Sequence, residues 1–132
     1  MKQKFRAWHK TWEEMGKVKR IRFDDEGNVT TVLFEGKILG VGTHADEIEL
    51  MQSTGLFDKN NKEIFEGDVV RQVRTQPTTE NETITGVVTM LEGAWSIVND
   101  NKQLASVLWS ETAENEIIGN IYENKGILEE EE

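Results

Sequence analysis

The chain has two imidazoles, His9 and His44, and no cysteine. His44 sits in GTHADE beside Asp46 and Glu47. An imidazole with carboxylates on a glycine-rich loop is raw material for a metal site. One His with two adjacent acids lacks ligand-rich spacing, so neither a resident metal nor another cofactor is expected. DKNNKE (58–63) bears a likeness to a calcium loop and fails where the geometry is strictest. The position that needs Gly for its sharp turn is Glu63, and Val69 stands where the bidentate acid belongs. The sequence carries no nucleophile elbow, phosphate-cradling loop or dinucleotide fingerprint. Without Cys, thiolate catalysis, disulfides and Cys-ligated zinc or iron–sulfur centres are excluded. A chance pair of carboxylates is the one catalytic device an acidic chain always offers, and the chain is expected not to be an enzyme.

The remaining chemistry-bearing residues are cations. Residues 1–22 hold eight Lys or Arg against two Glu, whereas residues 23–132 hold seven against 23 acids, for a net charge of −10 overall. The body repels nucleic acid at long range, and only the N-terminal end could attract it. Candidates there are Arg6, Lys10, Lys17, Lys19, Arg20 and Arg22, with Lys2 and Lys4 beside them and Trp8 or Trp12 available for stacking. The competing reading of these residues is a solvated strand surface, with the aromatics in the core.

These residues need elements to position them. FRAW (5–8) alternates as a short strand, although Phe5, Trp8, Trp12 and Met15 also have helical spacing. Gly16 then reads as a breaker. VKRIRF (18–23) predicts a strand with Lys19, Ile21 and Phe23 on one side and Val18, Arg20 and Arg22 on the other. DDEGN turns the chain, and VTTVLF (29–34) is rich in β-branched residues, so the pair reads as a hairpin. Residues 36–47 read as a loop around a short extended piece, and IELMQS (48–53) as a strand. TGLFDKNNKEIFEGDVV (54–70) reads as a corner, with Asp68 accepting backbone N–H groups and opening the strand DVVRQVR (68–74).

TQPTTENE (75–82) should be an exposed loop. TITGVVTML (83–91) and AWSIV (94–98) form a second hairpin, and Gly86 suggests a bend or bulge. LASVLW (104–109) fits a strand or a short helical turn, and EIIGNIY (116–122) a last strand. The acidic tail 123–132 should be disordered. Regularly spaced short strands predict a mainly β fold, a small SH3-like barrel or roll with an N-terminal β-hairpin segment packed on it. The expected organisation is one compact domain over 1–122, with 1–53 as the N-terminal β segment and 54–122 as the barrel part. No apolar run approaches the roughly 20 residues of a membrane span, and the N-terminus lacks a signal core, so a cytoplasmic protein is expected.

Four motifs in order, FRAW, QSTGLFDKNNKEIFEGDVV, GVVTMLEGAWSIV and IIGNIYEN, resemble the YopX family over roughly residues 5–125. His9 stands where the family often has an acid, and Lys125 where it often has Pro. The resemblance implies a mostly β fold containing an SH3-like barrel, and a phage or prophage setting in low-GC Gram-positive bacteria. It supplies no catalytic residues. The function expected is a non-enzymatic binding or assembly module, as a homo-oligomer or with a host or phage protein. The alternative is a nucleic-acid-binding accessory protein using the basic end.

Overall fold

The computed structural model describes residues 4–36, 42–75 and 82–127. The chain divides into two compact units, Met1–Gln52 and Ser53–Glu132. The loop expected at 75–82 lies outside the described residues apart from its two ends. So does much of the expected loop at 36–47, and so do the last five residues of the acidic tail.

The first unit contains β1 (Phe5–His9), β2 (Glu14–Phe23), β3 (Val29–Phe34), β4 (Thr43–His44) and the start of β5 (Ile48–Phe57). All pairings are antiparallel, in the order β4-β3-β2-β1-β5. The helical spacing of the aromatics does not make a helix. The backbone turns once after His9, whose carbonyl accepts the Glu13 N–H at 2.8 Å, and Glu13 takes φ 52° before β2 begins. Gly16 is no breaker: it lies inside β2, where a Cβ would stand 2.6 Å from the Phe34 ring. The ring packs on bare backbone, and β2 thereby starts four residues earlier than the sequence pattern suggested.

The predicted sidedness of 18–23 is also corrected. Val18 pairs with Phe34 and Arg20 with Leu33, so Lys19 is an extra residue in β2. A bulge of this kind reverses the alternation after it. Val18 and Ile21 therefore both pack on the core of Ala7, Val32, Phe34 and Ile48. Phe23, expected beside Ile21, is 60% exposed. A second irregularity puts the extra residue in β3, at Thr30.

The second unit begins with the end of β5, which pairs with β6 (Glu63–Phe65). It continues with β7 (Asp68–Arg74), β8 (Glu82–Leu91), β9 (Ala94–Asn99), β10 (Leu104–Val107) and β11 (Ala113–Asn120). The last five strands form one antiparallel sheet in the order β10-β9-β8-β7-β11. Its core is Ile64, Val70, Val88, Ile97 and Leu108. Residues 104–107 are strand, which resolves that ambiguity. Gly86 marks no bulge against β7, since the register runs unbroken from Val69 to Arg74. Its role is space: a Cβ would lie 2.4 Å from Ile97 Cγ2 and 2.8 Å from the Val98 carbonyl.

Backbone pairing among the described residues does not close this sheet into a barrel. A side chain bridges the gap instead. Gln72 of β7 is fully buried. Its amide nitrogen lies 3.1 Å from the carbonyls of Val107 and Leu108 and 3.0 Å from Asn115 Oδ1. Its amide oxygen accepts from Ser106 Oγ at 2.9 Å, and Asn115 Nδ2 donates to the Leu108 carbonyl at 2.9 Å. Gln72 and Asn115 are cross-strand partners. The sheet therefore curls until the end of β10 meets β7 and β11, and buried amides take the place of a ladder.

Candidate functional site

The carboxylates with the most elaborate surroundings do structural work. Asp58 is buried. Its Oδ1 accepts the N–H groups of Asn60 and Lys62, both at 2.9 Å, and its Oδ2 accepts that of Ile117 at 3.0 Å. The Lys59 N–H donates to the Asn115 carbonyl at 2.9 Å. The 58–62 turn thus covers the outer edge of β11. Burial pushes the Asp58 carboxyl up, but the three backbone donors, helped by the Lys62 charge, leave it below the usual carboxylate range. Both oxygens are spent on the backbone, which removes the calcium-loop reading. Asp68 Oδ2 accepts the Phe65 N–H at 2.8 Å, as the corner reading of this stretch expects.

The imidazoles do not converge with acids. His9 is buried, stacks on Trp12 at 4.1 Å and accepts the Trp12 N–H at Nδ1 (3.1 Å). The recess lined by His9, Trp12, Met15 and Phe34 has about 10 Å³ of space, room for a single water. His44 is exposed on β4, opposite Thr31. Among the described residues no group of three or more His, Asp or Glu is placed to hold a metal ion. An open depression of about 410 Å³ around Thr75, Glu111, Thr112 and Glu114 offers two carboxylates, with no imidazole or cation in its lining to work with them.

The basic residues separate into two groups. Trp8 is 9% exposed, so little of its ring is open to a stacking base. Arg6 is half-buried beside it on β1. Lys10 is held by Glu49 at 3.3 Å and by the Asp46 carbonyl at 3.2 Å. Trp12 is 57% exposed and is not a core residue, but it is already stacked on His9. Lys2 lies outside the described residues.

Lys17, Lys19, Arg20 and Arg22 form the second group. All four are exposed on β2 and pair with no acid among the described residues. The Lys19 bulge keeps Lys17, Arg20 and Arg22 on the face away from Val18 and Ile21. β1 pairs with β2 only over Glu14–Lys17. Beyond that point β2 runs on beside β3 alone, as the outer part of a β2–β3 arm, and β3 in turn pairs with β4 at Thr31 and Val32. At the end of the arm, Asp24 Oδ1 accepts the N–H groups of Glu26 and Asn28, both at 2.9 Å. The Asn28 N–H is the chief reason that the Asp24 carboxyl titrates below its usual range. Sequence reasoning located these cations but not the arm, because the extent of β1 pairing leaves no mark in β2 itself.

Two solved structures share this fold. Protein EF1440 from Enterococcus faecalis is 24% identical, with a TM-score of 0.64 over 97% of this chain and 99% of that one. Protein yopX from Bacillus subtilis is 17% identical, with a TM-score of 0.66 over 97% of each chain. At these identities the likeness establishes the fold alone. No curated protein sequence matches the chain. No described helix is long and apolar enough to cross a membrane. The motif order from FRAW to IIGNIYEN, the mainly β architecture and the structural neighbours agree with the family model described as YopX protein, which matches residues 4–129; the chain belongs to the YopX family.

Proposed function

We propose that the chain is a non-enzymatic binding and assembly module, acting in the cytoplasm in a phage or prophage setting. The observation that supports this reading is the β2–β3 arm, where four exposed cations have no described acid to satisfy them in a chain of net charge −10. Elsewhere the well-built carboxylates serve the backbone, as at Asp58 and Asp68. The curled second unit is read as an SH3-like support rather than a reaction vessel. Affinity capture with the full chain from phage-infected cells, with cross-linking before lysis, tests the reading. It expects a second copy of the chain or a discrete protein cross-linked through Lys17 or Lys19. Recovery of the chain alone, with no intermolecular cross-link, would sink it.

The same cations motivate a second reading, nucleic-acid binding. A labelled oligonucleotide titrated at low salt would then bind with an affinity falling steeply as salt rises. Absence of any shift at low salt rejects it.

A further inference from the structure

We infer that the outer face of β2 is the docking site for the acidic run Glu129–Glu132 of a second copy of this chain. The inference rests on the assembly reading proposed above and gives it two complementary parts, a cationic sheet face and an acidic segment.

The site is a face of the sheet and not an edge. Because Lys19 is an extra residue, Lys17, Arg20 and Arg22 succeed one another at alternate register positions against β3, on the side away from Val18 and Ile21. At a strand rise of about 3.4 Å per residue, neighbouring cations of this row stand about 7 Å apart. All three are exposed. Acids lie at the ends of the row. Exposed Glu35 stands beside Lys17, its N–H donating to the Lys17 carbonyl at 2.8 Å. Asp25 and Glu26 belong to the tip turn, where the Asp24 carboxylate is spent on backbone N–H groups. Arg20 and Arg22 lie opposite the uncharged Leu33 and Thr31, so an incoming anion gains most there. Phe23 lies on the other side, opposite Val29 of the core face. The cationic face therefore presents no exposed aromatic on which a base could stack, which favours a peptide carboxylate over a single-stranded nucleic acid.

Lys10, Lys59 and Arg71 each have a carboxylate at 3.3 to 3.9 Å, whereas the β2 cations have none. The sequence holds one run of four consecutive acids, Glu129–Glu132, separated by Leu128 from the last described residue, Ile127. An extended chain repeats its side chains on one face at the same interval as a strand, about 7 Å, so alternate carboxylates of the run meet Arg20 and Arg22 together. Guanidinium groups take carboxylates in bidentate pairs, which makes these two arginines the anchors. Two copies related by a two-fold exchange the segment, and the contact is made twice. Each copy carries a net charge of −10, so the attraction is local and the association weak.

The experiment uses full-length chains, with circular dichroism as a check on folding. An equal mixture of isotope-labelled and unlabelled wild type is treated with a carbodiimide, which joins an amine to a carboxylate in contact with it, and the linked peptides are identified by mass spectrometry. Lys17 or Lys19 should be joined to Glu129–Glu132, with label-mixed pairs as frequent as unmixed ones. Two charge-reversed chains, Arg20→Glu/Arg22→Glu and Glu129→Lys/Glu130→Lys/Glu131→Lys/Glu132→Lys, should each lose dimer affinity at sedimentation equilibrium by about tenfold or more, since each sets like charges together at both contacts. Mixed one to one, they restore both opposite-charge contacts, and the heterodimer should form. Links between unmixed labels alone would put the segment on its own chain and overturn the exchange between copies. Variants that dimerise like the wild type, or folded variants that stay apart when mixed, overturn the docking face. If the wild type dimerises in those cases, the assembly reading stands and only its surface is wrong. A wild type that remains monomeric and unlinked, yet loses an oligonucleotide on Arg20→Glu/Arg22→Glu, overturns both in favour of nucleic acid.

Discussion

The 58–72 region and the β2–β3 arm are built from similar residue types, and the chain uses them in opposite ways. In the first, Asp58, Asp68 and Gln72 are buried and every polar atom described above has a backbone, amide or hydroxyl partner. In the second, Lys17, Lys19, Arg20 and Arg22 lie in solvent without a described acid. Buried polar groups must be satisfied because their alternative is desolvation without compensation. Exposed cations carry no such obligation, so stability does not explain their clustering. The contrast teaches where to look for function in this family member: at the charges the fold does not need.

The largest expected effect breaks the contrast on its buried side. Gln72→Leu preserves volume but takes the Gln72 amide from the Val107 carbonyl, Asn115 Oδ1 and the Ser106 hydroxyl, leaving the Leu108 carbonyl only Asn115 Nδ2, and should cost about 3 kcal/mol. The melting temperature should fall by roughly 10 °C. A loss below about 1 kcal/mol would mean that the seam between β10 and β7 closes without this amide.

Asp58→Asn should cost less, about 2 kcal/mol at neutral pH, because an amide NH2 would confront a backbone N–H. Its pH dependence carries a sign. The folded carboxyl titrates lower than the unfolded one, so its contribution is complete above the unfolded value of about 3.9 and is lost as pH falls through the lower folded value. Denaturant titrations should therefore show the variant's deficit shrinking as the solution is acidified below about pH 4. A deficit unchanged at low pH would move the explanation from charge to packing.

The smallest expected effect on stability is on the arm. Arg20→Gln combined with Phe23→Ser should change stability by no more than about 0.5 kcal/mol, since both side chains are exposed. A loss above about 1 kcal/mol would mean that these outward side chains bear on packing after all and erase the distinction.

Much of this was legible in the sequence. VTTVLF and DVVRQVR are strands with the bounds their pattern gives, because β-branched residues and turn residues mark both ends. The corner role of Asp68 followed from its position after Gly67. Four things escaped. Gly16 looked like a stop, since nothing local announces the Phe34 ring that needs it. The Lys19 bulge changes which residues face the core, and alternation alone assumes that no residue is extra. Gln72 offered a faint signal, a polar residue amid the apolar DVVRQVR, but its partners at Ser106–Leu108 lie 34 to 36 residues away. The arm required knowing where β1 ends against β2, which is a tertiary fact.

The seam at Gln72 has a dynamic consequence. β10 is joined to β9 by a backbone ladder, but the hydrogen bonds described between residues 106–108 and β7 or β11 run through the side chains of Gln72, Asn115 and Ser106. Parting that seam breaks a handful of hydrogen bonds and uncovers Leu108, yet leaves the described ladders of the sheet intact. Such low-cost openings are the sub-global fluctuations through which a native protein breathes. Residues 104–109 should exchange their amide hydrogens before β8 does.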